Sequence, residues 1–558
     1  MGKHTNQPLD TSSSRYIKLT NAINIMHSFL VKYWPIIIFA LLPLAILAPI
    51  LGRGYILQYD MVFTPHVNLS LEALRSGNML HQAIPVTIIL KLISYILPMD
   101  IVQKIILYAI FFLSAYSIYI CLDLKSKTAK VVAGIFYSIN PFTYDRLMAG
   151  HWLFLLAYAL TPFVLLSFYK LFTNPNKKNL IIATLLWSSI SLISPHHLFI
   201  FAILFLCMCI FFIRTKKTAI FGLITILGVI ILSLWWILPL LLTNNFTHSF
   251  GLDQFYAFAT KGDIQQGIWF NMLSLQGLWY TNWISIKELI TFWPLIVILW
   301  LIPVFIGIGC IRAYNSTVIK LALSLLLASF IALFIAAGPS PEVSSINSWL
   351  YVHIPGISGM RESQKLLSIL ALMYAFFIAY GINYFIDKKQ TILATIDIVL
   401  SIATIITMTL PIFWSAHNQL QLVQYPKSWE QFYEYISKEE NNAKIIILPW
   451  NLYIDGTFTN KLVANPAKEY FGQWAIASEN MNLPNVRSFE SPENKKLLEA
   501  LQNKDGLQLS NAMRDRGAKY IMLINSNDNS DYQWIANISG NFQLLNDGNI
   551  IVMLLTNN

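Results

Sequence analysis

Gly52-Arg53-Gly54-Tyr55-Ile56-Leu57-Gln58-Tyr59-Asp60-Met61-Val62-Phe63-Thr64-Pro65-His66 follows an apolar run, 32–51, that is long enough to cross a bilayer. The stretch opens a polar segment that reaches residue 99, and Asp60 is the only carboxylate between the first apolar run and Glu72. On the other side of the run lies a polar leader, 1–31, with Lys3, Arg15 and Lys18 and no small-residue cleavage pattern. The run therefore reads as a retained first span with its leader in the cytoplasm, and 52–99 as a long outer loop.

The rest of the chain agrees with a membrane protein. Of 558 residues, 56% are hydrophobic and only 12% charged, about half the charged share of an ordinary soluble protein. The net charge of +10 sits mostly in short loops between apolar runs, where a positive-inside bias accounts for it without nucleic acid. Runs able to span lie at 32–51, 100–121, 152–172, 179–194, 197–213, 218–243, 289–311, 317–337, 366–386 and 391–414, with a shorter one at 131–147 interrupted by Asn140-Pro141. Counting that one gives about eleven spans. Alternate loops are then basic, holding Lys125, Lys127 and Lys130; Lys177 and Lys178; Arg214, Lys216 and Lys217; Arg312; and Lys388 and Lys389. The expected fold is a polytopic α-helical membrane domain, 32–414, with outer loops 52–99, 244–288 and 338–365. Segment 84–98, apolar but short, is expected as an interfacial helix.

From residue 415 to 558 the composition is that of a soluble domain, placed outside the cell by the same loop charges. Lys444 to Leu448 and Lys519 to Ile524 predict buried strands, 493–503 and 508–516 helices, and Phe542 to Leu555 a hairpin around Asn546-Asp547-Gly548. This is a small α/β domain of roughly 140 residues. Cys121, Cys207, Cys209 and Cys310 fall in or beside apolar runs with no metal-ligand spacing.

With basic loops inside, the remaining ionisable residues gather on the outer face: Asp60, His66, Asp145, Arg146, His151, His196, His197, Arg361, Glu362 and Lys365. Asp60 is either a solvated loop carboxylate or a base whose pKa, near 3.9 when free, partial burial would raise. Arg361 and Lys365 are four apart before a span. On a helix they would share a face able to clamp a phosphate, with Glu362 pointing elsewhere, or they would act as a snorkelling anchor. His196 and His197, adjacent on a helix, point about 100° apart and suit hydrogen bonds better than a shared metal. In 244–288, Phe246, Phe250, Phe255, Tyr256, Phe258, Trp269, Phe270, Trp279, Tyr280 and Trp283 read first as an interfacial belt and second as sugar-stacking rings. Sequons occur at Asn68, Asn245 and Asn537.

This arrangement resembles the GT-C glycosyltransferases, multi-span enzymes that use polyprenyl-phosphate-linked sugars on the outer membrane face. The matching features are the first span, the long loop with an early acidic residue, the interfacial helix and the trailing outer domain. Arg361-Glu362-Ser363-Gln364-Lys365 is similar to the Arg-acidic-Pro-x-Lys stretch of large bacterial and archaeal membrane proteins described as uncharacterised or arabinofuranosyltransferase-like, and Arg516-Gly517-Ala518-Lys519-Tyr520-Ile521 also looks like theirs. Two features depart: Asp60 stands alone where many members carry paired acids, and Ser363 replaces the usual Pro. The resemblance implies Asp60 as catalytic base of an inverting transfer, Arg361 and Lys365 as donor-phosphate ligands, and Glu362, His66, Arg146, His151, His196 and His197 as substrate lining. The implied partners are a polyprenyl-phosphate sugar, a glycan, lipid or protein acceptor and membrane lipids. No cofactor is implied, and the lone Asp60 lends a divalent metal no support.

A lipid-linked sugar flippase and a non-catalytic scaffold of cell-envelope glycan assembly are the alternatives. Transporters keep ionisable residues and broken helices near the bilayer midplane. Here Asp397 is the only acidic residue deep in a span, and Asn140-Pro141 lies near an outer end, which favours the enzyme.

Overall fold

The computed structural model describes residues 11–69, 83–242, 251–354, 357–439, 443–480, 490–538 and 541–555. The first part of the chain is a helical bundle. It comprises α1 (Thr11–Leu47), α2 (Ile84–Ser94), α3 (Met99–Cys121), α4 (Lys127–Ser138), α5 (Pro141–Met148), α6 (Trp152–Thr173), α7 (Lys177–Ile193), α8 (His196–Phe212), α9 (Lys216–Leu242), α10 (Trp293–Cys310), α11 (Ser316–Ala336), α12 (Leu367–Asp387) and α13 (Thr391–Met408). Among the described residues, eight helices are long and apolar enough to cross a membrane. The protein is a multi-pass membrane protein.

Each apolar run of the sequence is helical, but the short one is divided. The Asn140 side chain accepts from the Thr143 backbone N–H, the Thr143 hydroxyl reciprocates, and Pro141 takes the first helical position. These are helix-start signals, and a proline has no N–H to continue the preceding helix. The expected single short span is therefore two helices, α4 of 12 residues and α5 of 8. Helix α2 has 11 residues, none buried. It rises about 16 Å, half the hydrocarbon thickness.

Helix α12 is the axis of the bundle. Every residue from Leu367 to Asn383 is buried, as expected of a helix apolar all round, and it packs against α4, α10, α11 and α13. Close approach to α10 is possible because Gly307 has no side chain: a Cβ there would lie 2.0 Å from the Phe377 carbonyl oxygen. Small residues commonly let helices meet in this way in membranes.

The C-terminal region holds α14 (Lys427–Ser437), α15 (Pro492–Asn503) and α16 (Gly506–Asp515) around a five-stranded sheet. With β1 (Tyr55–Ile56) and β2 (Leu422–Val423) counted first, the strands are β3 (Lys444–Leu448), β4 (Tyr453–Ile454), β5 (Val463–Ala464), β6 (Ala475–Ile476), β7 (Ala518–Ile524), β8 (Asn541–Asn546) and β9 (Ile550–Leu555). The sheet order is β6-β3-β7-β9-β8. β3 runs parallel to β6 and β7, and β9 antiparallel to β7 and β8. Alternation along β3 sorts the core: Ile445 and Ile447 face Trp429, Phe432 and Ile436 of α14, while Ile446 and Leu448 face Leu497, Leu509 and Met513 of α15 and α16. The expected strands, helices and hairpin of this domain are all present.

Two seams join the domains. β1 pairs antiparallel with β2, Tyr55 opposite Val423. A few residues on, Tyr59 bridges to Val463, and the Ala464 N–H donates to the Tyr59 carbonyl at 2.9 Å.

Candidate active site

Asp60 stands on a tight backbone turn. Gln58 and Met61 exchange two backbone hydrogen bonds, 3.1 and 2.8 Å, and Tyr59 between them takes a left-handed φ of 44°. The Asp60 N–H donates to the Ala149 carbonyl at 3.3 Å, which sets this turn on the one between α5 and α6. Gly150 makes the contact sterically allowed. Its φ is +80°, and a Cβ would lie 2.3 Å from both the Gln58 oxygen and the Met61 nitrogen. We expect Gly150→Ala to push the two turns apart and cost about 1–3 kcal/mol of stability, read as a lowered unfolding midpoint in detergent.

The docked turns bring Asp60 to His151, Oδ2 to Nε2 3.2 Å. His151 Nδ1 lies 3.2 Å from an Arg146 guanidinium nitrogen, and the same nitrogen donates to Glu362 Oε2 at 2.9 Å. Glu362 Oε2 also meets Lys365 Nζ at 3.1 Å, and Lys365 Nζ meets His196 Nε2 at 3.0 Å. One connected cluster thus links the segment after α1, the α5–α6 turn, the start of α8 and the segment ahead of α12. Arg146 is 1% exposed, its guanidinium set against the rings of Phe142 and Phe154. The Asp60 side chain is 44% exposed, so the carboxylate keeps an open side.

The geometry before α12 differs from the expected helix face. Residues 357–360 and 363–366 form 3₁₀ turns, and α12 begins at Leu367. At three residues per turn, positions i and i+3 eclipse. Glu362 therefore lies over Lys365 at the centre of the cluster, not pointing elsewhere, and Arg361 diverges. Arg361 donates to Gln254 Oε1 at 2.9 Å and stacks over Phe258 at 4.6 Å. Its charge still acts on Glu362 and on Tyr453.

Desolvation by surrounding protein would raise the Glu362 pKa, but Lys365, His151, Arg146 and Arg361 outweigh it and hold the carboxyl well below the usual range. At Asp60 desolvation likewise raises, and the His151 contact and the Tyr453 hydrogen bond win, so its pKa is lowered. Of the two sequence readings, the base is the one that calls for a raised pKa; here the neighbours stabilise the anion instead. Arg146, Arg361 and Lys365 against Asp60 and Glu362 leave one positive charge in excess. A carboxylate and an imidazole flanked by cations suit an anion better than a divalent cation. Among the described residues no group of three or more His, Cys, Asp or Glu is placed to hold a metal.

Other expected site residues go elsewhere. His66 meets Glu430 at 3.0 Å and stacks on Tyr433 at 3.7 Å. It ties the first loop to α14 and, among the described residues, shares no partner with the Asp60 cluster. His197 is fully buried, and among the described residues neither ring nitrogen has a hydrogen-bond partner; it packs against Phe154 at 4.7 Å. Asp145 accepts from the Trp283 indole at 3.3 Å. Of the aromatic loop, Phe246 and Phe250 lie outside the described residues, as does Asn245. Phe255, Phe258 and Trp283 are buried, and Tyr59, Tyr280 and Trp283 pack edge to face at 5.5 and 5.8 Å. These rings form a wall behind the Asp60 turn, whereas Tyr256 and Trp269 of the same loop are exposed. The Asn68 amide donates to the Tyr470 carbonyl at 3.1 Å and to that of Glu469.

Sequence reasoning missed Tyr453 and Lys461. The Tyr453 hydroxyl donates to Asp60 Oδ1 at 2.5 Å. The Lys461 ammonium, drawn down to about 8 by burial, donates to Gln58 Oε1 at 3.0 Å. Nothing local marked either residue, since both reach the site only through the docking of β4 and β5 on the Asp60 turn.

No protein-family model matches the chain, and no curated protein matches it in sequence. Among solved structures, the arabinofuranosyltransferase AftD from Mycobacteria matches over 94% of this chain with a TM-score of 0.63 at 10% identity. The chain shares the fold of that protein's matching part. A mutant of AftD matches at a TM-score of 0.61 and 12% identity, again over 94% of this chain. The match spans 40% of the first AftD chain and 42% of the mutant, so this chain covers less than half of that protein. The Archaeoglobus fulgidus oligosaccharyltransferase aligns over 89% of this chain and 70% of its own, at 10% identity and a TM-score of 0.47. The cluster sits at the end of the bundle that meets the C-terminal region, as the Tyr453–Asp60 bond requires.

Proposed function

We propose that the protein is an inverting glycosyltransferase that moves a sugar from a polyprenyl-phosphate donor to a hydroxyl of a glycan, lipid or protein acceptor on the outer face of the membrane. The observation that carries this reading is one half-exposed carboxylate, Asp60, beside a cluster of cations with net positive charge. The acceptor oxygen bonds to the anomeric carbon from the side opposite the phosphate. The bond from that carbon to the phosphate oxygen breaks, and the acceptor proton passes to the open side of Asp60. Because the pKa of Asp60 is low, the proton moves late, when the attacking oxygen has become strongly acidic. Polyprenyl phosphate leaves with the electron pair, and Arg361, Lys365 and Arg146 stabilise its growing charge.

Such a leaving group needs no proton, so a single carboxylate suffices, unlike the pair used by glycosidases. Glu362 then orders cations and is no second acid, because its bound oxygen already receives Arg146 and Lys365. The apolar spans support a lipid-borne donor. The test is incorporation of label from a panel of polyprenyl-phosphate sugars into membrane acceptors, comparing the wild type with Asp60→Asn and Arg361→Ala. We expect transfer from one donor, its loss in Asp60→Asn, and a roughly tenfold to hundredfold weaker use of donor in Arg361→Ala. Flux of labelled donor across proteoliposomes without covalent product would overturn the reading in favour of a flippase.

A further inference from the structure

We propose that Tyr453 is a positioning residue for Asp60, delivered by the C-terminal domain, so that the β4–β5 hairpin completes the site formed by the membrane bundle. Four contacts place it. The Tyr453 hydroxyl donates to Asp60 Oδ1 at 2.5 Å, and His151 holds the other oxygen at 3.2 Å. The next strand is bonded to the same turn: the Ala464 N–H donates to the Tyr59 carbonyl at 2.9 Å, and Lys461 reaches Gln58 at 3.0 Å. Three consecutive residues, Gln58, Tyr59 and Asp60, are therefore each gripped by the hairpin.

The hairpin is itself fixed. β4 pairs with β5, and the Asn465 N–H donates to the Leu452 carbonyl at 2.8 Å. Tyr59 sits in a left-handed conformation unfavourable for a side chain with a Cβ. Such backbone persists where surroundings over-determine it, and here the Ala464 bond and the rings of Tyr280 and Trp283 do so. Tyr453 and His151 thus pin the carboxylate's two oxygens while its 44% exposed side stays open to an acceptor. The phenol is kept protonated beside this carboxylate, its pKa raised by burial and by the Asp60 charge, so it acts as a donor to the base and never competes for its proton.

The catalytic meaning of this contact rests on Asp60 being the base, so the test has one arm that needs no turnover. Purified full-length wild type, Tyr453→Phe and Tyr470→Phe are treated at pH 5 with a water-soluble carbodiimide and an amine, and labelling of Asp60 is read by mass spectrometry. The reagent takes the protonated carboxyl. Removing a hydrogen bond to the carboxylate raises its pKa, so labelling in Tyr453→Phe is expected to rise several-fold over wild type. Tyr470→Phe removes a hydroxyl from Glu430 in the same domain, 2.7 Å away, and is expected to leave Asp60 labelling unchanged. In the transfer assay Tyr453→Phe is expected to lose about tenfold in kcat with donor KM unchanged, its acidic limb moving to higher pH. Equal labelling in all three proteins would overturn the proposal whether or not transfer is seen. So would a kcat loss accompanied by lowered thermal stability and an unmoved acidic limb. Altered labelling without wild-type transfer from any donor would instead sink the glycosyltransferase reading and leave the positioning contact standing.

Discussion

Asp60→Asn is expected to lose about a thousandfold in kcat, because a general base contributes roughly a hundred- to ten-thousandfold. The amide keeps the size of the carboxylate and an oxygen able to accept from Tyr453, so expression and the unfolding midpoint should hold. The donor KM should hold as well, since the phosphate ligands are separate residues. Time courses of label transfer at saturating donor measure the effect. Full activity in this variant would remove Asp60 from the chemistry. The pH dependence adds a second expectation. A base works ionised, and His151 and Tyr453 keep the Asp60 pKa below its ordinary value. Wild-type transfer should therefore persist into mildly acidic buffer, where an unassisted carboxylate with pKa near 3.9 would already begin to protonate.

The second large effect is on stability. Glu362→Gln leaves Arg146, 1% exposed, and Lys365, 9% exposed, without their shared carboxylate. Removing one partner of a buried ion pair strands the other charge, at a cost of about 3–5 kcal/mol. Thermal unfolding in detergent should show Glu362→Gln well below wild type, and the double variant Arg146→Met with Glu362→Gln above the single one. A double variant less stable than the single one would show that the pair is not the source of the loss. The same linkage gives a pH signature. The folded Glu362 pKa is depressed, so its contribution is complete above the unfolded value near 4.3 and is lost as pH falls through the folded value. Acid should weaken wild type progressively and have a smaller differential effect on Glu362→Gln.

Much of the site was legible because its residues share a side. Arg146, His151, His196, Glu362 and Lys365 fall at span ends opposite the basic loops, and all of them meet in one cluster. His66 lies on that side too, yet Glu430 and Tyr433 hold it in the domain seam, since sharing a side constrains depth but not lateral position. The placing of Glu362 failed for a local reason. An α-helical spacing aligned Arg361 with Lys365, whereas the chain ahead of α12 tightens into a 3₁₀ turn that aligns Glu362 with Lys365 instead. The aromatic loop was legible as apolar, but ring content does not say which rings protein covers: Phe255, Phe258 and Trp283 are buried, while Tyr256 and Trp269 are exposed.

Hydropathy, loop charge, helix caps and strand alternation are properties of neighbouring residues. From them follow the membrane class, the helical segments, the α/β tail and the carboxylate that stands alone between the first apolar run and Glu72. Tyr453 is 393 positions from the oxygen it binds, and no local pattern records that distance. Only the tertiary structure decided that pairing, through β5 docking on the Asp60 turn, and only it showed that Gly150 lacks a side chain because two turns occupy that space. The reason is that a contact between distant residues depends on how rigid elements pack in three dimensions, and packing is set by the whole chain at once.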